Sequence, residues 1–446
     1  MVFQMIRDCR VHHVVCIMFI LASGMIITNL IYVVKGYKSF EQPPLINNDK
    51  ESGRIMDKEY VNNNPAVAAL ELIELPPLKR DYPKKTNSAD IHQTNNEERN
   101  EWKILAFADL YDVQKLDRFS ELRSVLKKHD NISLKATITC HEQNAKISLT
   151  LGSDLKLMER QDATVFGITL DTLVKHSAHI RTLRYKYTTQ GWILFGYESP
   201  LRMATLVEGI GLDDFNVDYI WSYHSSADIY QPFGFVEPRP ESGGYNVARK
   251  KTKLLSWLVN DCKQSAFWPM RNFIAKLDRL IGVDTFGECG DVRCSSLENC
   301  TELMSKYKFN LALEDAECDE YITHKLWLTS LSKNIVPIVY GAPKTDYLRY
   351  LPRYSFIHIG DFANVNHLAD FIQLLDRNDD LYNKFFGWKT KDQVKSTYPI
   401  LKSSSFCNVI PTLKRPKSGT KNKKALNSRA WFKSCRNKTN MPPGLI

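Results

Sequence analysis

Residues 307–362 read YKFNLALEDAECDEYITHKLWLTSLSKNIVPIVYGAPKTDYLRYLPRYSFIHIGDF. Three short apolar runs stand out in this stretch: Tyr307–Leu313, Ile335–Tyr340 and Ser355–Ile359. They alternate with amphipathic segments, the pattern of βα units that feed a parallel sheet. Glu314 and Asp315 follow the first run directly, and Tyr321, His324 and Lys325 lie in the segment after it. In α/β sheets that place, beyond the carboxyl end of a strand, is where ligands bind.

The same alternation extends outward in both directions. Downstream of Trp102 it predicts strands at Ile104–Leu110, Thr164–Ile168, Trp192–Phe195 and Tyr219–Tyr223, then at Lys253–Val259 and Val283–Phe286. Between the last two, Met270, Phe273, Ile274, Leu277 and Ile281 recur at helical spacing behind Pro269, a residue suited to a first turn. Gln231–Asn246 (QPFGFVEPRPESGGYN) is rich in proline and glycine and reads as a linker between two Rossmann-like halves. A chain of 446 residues fits two domains better than one. No G-x-G-x-x-G follows any expected strand, no P-loop is present and no D-x-D sits at a strand end. Gly196–Pro200 (GYESP) lacks the nucleophile-elbow pattern, so dinucleotide, P-loop and serine-hydrolase chemistries are set aside.

The formal net charge is +10, yet the chain is not a basic nucleic-acid platform. The excess is carried wholly by residues 412–446, which hold ten Lys and Arg and no acid, and which read as a solvated tail. At the other end, Val14–Val34 (VVCIMFILASGMIITNLIYVV) is uncharged and long enough to span a bilayer as helix. It is longer than a cleaved signal core and no convincing small-x-small site follows, which favours an uncleaved anchor. Residues 35–100, with Pro43-Pro44, Pro76-Pro77 and Asn62–Asn64, read as a stem. Beyond the anchor lie eight cysteines, an even number that suits disulfides in an oxidising lumen. Cys289, Cys294 and Cys300 are clustered but match no standard zinc spacing. Three sequons, at Asn131, Asn299 and Asn437, agree with a lumenal body.

The stretch 307–362 strongly resembles the donor-binding signature of the α1,3/α1,4-fucosyltransferase family. The resemblance continues through Ala248–Cys262 (ARKKTKLLSWLVNDC), Val283–Gly290 (VDTFGECG), Tyr197–Pro200 (YESP), Asp214–Asn216 (DFN) and Ser226–Gly234 (SADIYQPFG). It implies the inverting GT-B arrangement, two Rossmann-like domains facing a cleft, in a type II Golgi membrane protein. The implied layout is a cytosolic tail at 1–13, the anchor at 14–34, the stem at 35–100 and an acceptor-side domain at 101–240. A GDP-fucose-binding domain at 241–403 and the basic tail at 404–446 complete it. The resemblance implies GDP-fucose as donor substrate, a glycoprotein acceptor and no nucleic-acid partner. It implies no metal site and no required cofactor, a divalent cation such as Mn at most stimulating.

Breaking a fucose–phosphate bond calls for a base on the acceptor hydroxyl, cations on the phosphates and a polar group near the developing sugar cation. The family positions assign the base to Glu198, phosphate contacts to Arg271 and Lys325, and other donor contacts to Glu314, Asp315 and Tyr321. His324 stands where the family carries a glutamate that faces the sugar. A neutral imidazole offers a lone pair there; a protonated one repels the cation, and a mildly acidic lumen favours protonation of an ordinary histidine. Leu313-Glu314-Asp315 likewise replaces the usual F-E-N. Segments such as NIVPIVYGAP and LYNKFFGWK look most like enzymes that fucosylate the N-glycan core GlcNAc. A Lewis-type or protein O-fucosyl acceptor, and a fucosyltransferase-like protein that binds GDP-sugar or glycan without turnover, are the alternatives.

Overall fold

The structure is a computed structural model that describes residues 99–446 apart from 207–215, 245, 260–261, 263–265, 416–425, 437–440, 442 and 446. The expected anchor, nearly all of the stem and Asn437 lie outside the described residues. Among the described residues no helix is long and apolar enough to cross a membrane.

The chain is α/β with two largely parallel sheets. The first is built from β1 (Glu101–Phe107), β2 (Lys127–Lys128), β3 (Leu134–Cys140), β4 (Ala145–Gly152), β5 (Ala163–Phe166), β6 (Gly191–Gly196), β7 (Tyr219–Ser222) and β8 (Ile229–Tyr230). Their spatial order is β2-β3-β4-β1-β5-β6-β7-β8. From β4 through β1 to β8 every pairing is parallel, and β2 and β3 add an antiparallel edge. β9 (Gly234–Pro238) pairs away from this sheet. The second sheet takes β10 (Lys253–Leu258), β11 (Asp284–Phe286), β12 (Tyr307–Leu313), β13 (Val336–Tyr340) and β14 (Ile357–His358) in the order β11-β10-β12-β13-β14, all parallel. β12 is buried at every residue, as an unbroken apolar run at the centre of a parallel sheet requires.

β3 and β4 were not anticipated. Their sequences, LKATITC and AKISLTLG, mix threonine, lysine and serine into the apolar positions, and β3 lies near the sheet edge with little of it buried. The presumed linker 231–246 is also more than a connection: it carries β9, which pairs antiparallel with β15 (Asp392–Ser396).

Parts of the basic C-terminal region 404–446 are folded into the body, while Asn422–Lys424, where solvation was expected, lie outside the described residues. Phe406, Val409, Ile410 and Trp431 are buried in the core that contains the first sheet. Phe406 meets Trp221 edge-on at 5.5 Å. Trp431 lies against the end of β6, where a Cβ on Gly196 would come within 1.9 Å of its ring. Arg429 pairs with Asp228 at 3.1 Å. Apolar side chains placed among the cations override the charge of the segment, because each buried aromatic is worth more than the solvation of exposed lysines.

All eight described cysteines are paired, as Cys140–Cys407, Cys262–Cys289, Cys294–Cys300 and Cys318–Cys435. The clustered Cys289, Cys294 and Cys300 therefore serve two separate bridges rather than a metal. Cys407 and Cys435 each reach back to a distant partner, closing loops of 267 and 117 residues. Peptide mapping under non-reducing conditions should recover these two long-range links. Cys407→Ser should lower stability by roughly 2–5 kcal/mol in denaturant titration, since the bridge restricts the unfolded chain; unchanged stability would mean that the bond does not form.

Candidate active site

Glu198 reaches its position through local chain chemistry. β6 ends at Gly196, and Ser199 then receives the amide of Arg202 on its hydroxyl (3.1 Å) and that of Met203 on its carbonyl (2.9 Å). Pro200 opens the helix Pro200–Leu206. A serine cap followed by proline is a strong helix start, and it holds Glu198 in the turn beyond the strand end. Burial raises the Glu198 carboxyl above its usual value, Asp315 adds to the rise, and Arg118, Arg202 and Lys325 counter it.

On the second sheet, Glu314 leaves β12 and is buried. Its carboxylate accepts the Thr323 amide at 2.7 Å and the Thr323 hydroxyl at 3.0 Å, and pairs with Lys325 Nζ at 3.4 Å. Lys325 Nζ also donates to the Leu313 carbonyl at 2.9 Å. Burial raises the Glu314 carboxyl, and Lys325 and the Thr323 bonds oppose the rise. Gly341, at φ +135, lets β13 pass this point, since a Cβ there would lie 2.6 Å from Glu314 Cβ. Trp268 donates its indole N–H to the Glu314 carbonyl (2.8 Å) and the Phe267 amide donates to the Asp315 carbonyl (2.7 Å). The start of the helix Met270–Ile281 is thereby tied to the same loop. Arg271 lies on its first turn, exposed, with Nη2 donating to the Cys262 carbonyl at 3.0 Å.

The two strand ends meet. Tyr223, after β7, packs against Tyr321 with ring centroids 5.2 Å apart. The Ser225 amide and hydroxyl donate to the Glu320 carboxylate at 2.7 and 2.6 Å. Glu320 takes a left-handed conformation (φ 60) to present that carboxylate. From the C-terminal region, Cys435 is bonded to Cys318 and the Asp319 amide donates to the Ser434 carbonyl at 2.9 Å. Glu198, Glu314, Asp315, Tyr321, His324 and Lys325 thus form one neighbourhood. Arg271 borders it through the Trp268 and Phe267 contacts. Asp315 and Tyr321 are buried in the loop packing.

His324 begins the short helix His324–Trp327, which Thr323 caps. Its ring lies 5.5 Å from that of Tyr398. Burial lowers its pKa to about 4, and the neighbouring cations Lys325 and Arg118 push the same way. A pKa held near 4 favours the neutral imidazole, with its lone pair, over the protonated one in a mildly acidic compartment.

Sequence reading missed Arg118. It lies in the turn Asp117–Phe119, inside a charged run that resembles any solvated surface. Its guanidinium stacks 4.7 Å from the Tyr197 ring centroid and acts electrostatically on Glu198, His324 and Tyr398. Of the glycosylation candidates, Asn131 and Asn299 are exposed, Asn299 beside the Cys294–Cys300 bridge. Among the described residues no group of three or more His, Cys, Asp or Glu could hold a metal ion.

A histidine pKa near 4 has a signed consequence. Between about 6.5 and 4 the unfolded chain binds a proton at this residue and the folded chain does not, so its contribution to stability falls as pH falls through that window. NMR titration of labelled histidine should leave the His324 resonance unshifted between pH 7 and 5, both values roughly spanning the ordinary titration range. A midpoint near 6.5 would contradict the burial assigned to it.

Residues 248–429 match the model for the glycosyltransferase family 10 (fucosyltransferase) C-terminal domain. Similar proteins include a mouse alpha-(1,3)-fucosyltransferase 4, 31% identical over 54% of this chain and 55% of that protein. A Drosophila melanogaster glycoprotein 3-alpha-L-fucosyltransferase A is 33% identical over 43% of this chain and 35% of the relative. A gorilla 4-galactosyl-N-acetylglucosaminide 3-alpha-L-fucosyltransferase is 35% identical over 45% of this chain and 54% of its own length. The chain spans about half the length of these relatives, or less. Over residues 248–429 the chain is thus similar to the fucosyltransferase domain of glycosyltransferase family 10.

Proposed function

We propose that this protein transfers fucose from GDP-fucose, with inversion, in α1,3 linkage to a GlcNAc of glycoprotein glycans, the core GlcNAc of N-glycans being the favoured acceptor. The observation that carries the reading is the convergence of Glu198, from the first sheet, on the Glu314–Lys325 loop of the second. A carboxylate raised by burial stands there across from a lysine fixed by its own buried partner.

In the proposed reaction Glu198 takes the proton of the acceptor hydroxyl as that oxygen bonds fucose C1. The bond from C1 to the β-phosphate oxygen breaks on the opposite face, and GDP leaves with the electron pair. Lys325 and Arg271 are assigned to the diphosphate. Asp315 and Tyr321 are assigned to the donor side, with Glu314 orienting Lys325. Neutral His324 faces the sugar cation with its lone pair. The two sheets act as the paired domains of a GT-B enzyme, acceptor side at 101–240 and donor side at 241–403. Paired cysteines and exposed sequons at Asn131 and Asn299 support a Golgi lumenal location behind a type II anchor.

The test is a secreted fragment beginning near the end of the stem, incubated with GDP-fucose and a panel of N-glycan cores, N-acetyllactosamine and folded protein domains. Mass spectrometry would locate the fucose. Transfer to the core GlcNAc is expected, and Glu198→Gln should lower kcat by about 100-fold or more. Activity should rise with pH along an acid limb lying above the ordinary carboxyl value of 4.5, because the base must be ionised. Transfer to N-acetyllactosamine alone would move the acceptor to the Lewis type. GDP-fucose binding without transfer to any acceptor would overturn the enzyme reading.

A further inference from the structure

Resting on the transfer reading above, the geometry points to Arg118 as the residue that recognises the acceptor, by hydrogen bonding the N-acetyl carbonyl of the GlcNAc whose O3 is fucosylated. Arg118 carries five N–H donors. Among the described residues none of them has a hydrogen bond or ion pair, and its Nε is buried without a partner. The two cations assigned to the donor are engaged: Lys325 with Glu314 and the Leu313 carbonyl, Arg271 with the Cys262 carbonyl. Tyr197 and Phe119 hold the Arg118 guanidinium from their ring faces, at 4.7 and 5.1 Å. Such stacking fixes a planar fork in place while leaving its edge donors open.

Location selects the ligand. Tyr197 directly precedes Glu198, so the fork lies beside the group proposed to deprotonate the acceptor. The acceptor oxygen must lie within hydrogen-bond reach of that carboxylate. On GlcNAc the carbon next to C3 bears the acetamido group, whose carbonyl is therefore carried close to any base that works on O3. The charges around Arg118 favour a neutral oxygen over an anion. Glu198 and Asp112 already act on its positive charge without occupying its donors, and an acceptor carboxylate or sulfate would face Glu198 and, through it, Asp315. A site that donates to a substrate carbonyl rejects the analogue lacking it, because the buried donor is left unpaired.

The experiment uses acceptors matched except at C2: N-acetyllactosamine against lactose, and glycopeptides carrying GlcNAc or glucose on asparagine. Kinetics would be measured for wild type, Arg118→Gln and Arg118→Lys, with GDP-fucose affinity followed by calorimetry. Wild type should prefer the N-acetyl member of its productive pair. Because Arg118 also acts on Glu198, Arg118→Gln should lower kcat/KM for both members, but on the order of 10- to 100-fold more for the N-acetyl member, the excess lying chiefly in acceptor KM. Arg118→Lys, which keeps the charge near Glu198 but loses the fork, should recover only part of the preference. GDP-fucose affinity should not move. Equal losses on both members would overturn the proposal by showing that Arg118 acts through Glu198 alone. Weakened GDP-fucose binding would overturn it by assigning the fork to the diphosphate. Donor binding without transfer to either pair by wild type would remove the transfer reading itself, and the acceptor role with it.

Discussion

The buried carboxylate of Glu314 is the constraint around which the candidate site is arranged. An ionised group withdrawn from water is tolerated only if its oxygens are fully engaged. Here both oxygens are bound to Thr323 and one pairs with Lys325. Those contacts fix the return of the chain from β12, the start of the helix that bears His324, and the position of the lysine assigned to phosphate. The Glu314 carbonyl and amide extend the same hub to Trp268 and to β13. Breaking such a network leaves a buried charge, so the loop has one stable arrangement rather than several.

The other half of the site depends on the C-terminal region. Trp431 abuts the end of β6, two residues before Glu198, while four residues on Cys435 is bonded to Cys318 in the Glu314–Lys325 loop. One short segment therefore touches both the proposed base and the proposed donor loop. Ser225 and Glu320 add a second tie across the two strand ends. Group transfer by positioned residues needs this fixity, because misplacement by a fraction of a bond length lowers the rate.

Much of this was legible in the sequence, for identifiable reasons. β12 and β13 are unbroken apolar runs whose bounds the periodicity gave to within a residue, and Glu314, His324 and Lys325 lie in the segment between them. Glu198 was marked by its place after an expected strand and by the YESP motif of the resemblance. Other features had no local signal. β3 hides its buried positions among lysine and threonine. Basic residues dominate the composition from 404 onward and hid the two aromatics, Phe406 and Trp431, that are buried there. The pairing of Cys407 with Cys140 follows from tertiary contact alone. Arg118 has no motif, since its role comes from rings and carboxylates distant in sequence. The His324 environment was likewise invisible: composition gives the residue type, while burial beside Lys325 and Arg118 sets its charge.

The central claim is that the loop organised by Glu314 forms the donor site. Calorimetric titration of the lumenal fragment with GDP-fucose, compared with Lys325→Ala, tests it most directly. The account predicts saturable one-to-one binding to wild type and an affinity loss of about tenfold or more in the variant, the scale of one charge-assisted contact. Equal affinity in the two proteins, or no binding to a folded wild type, would contradict it.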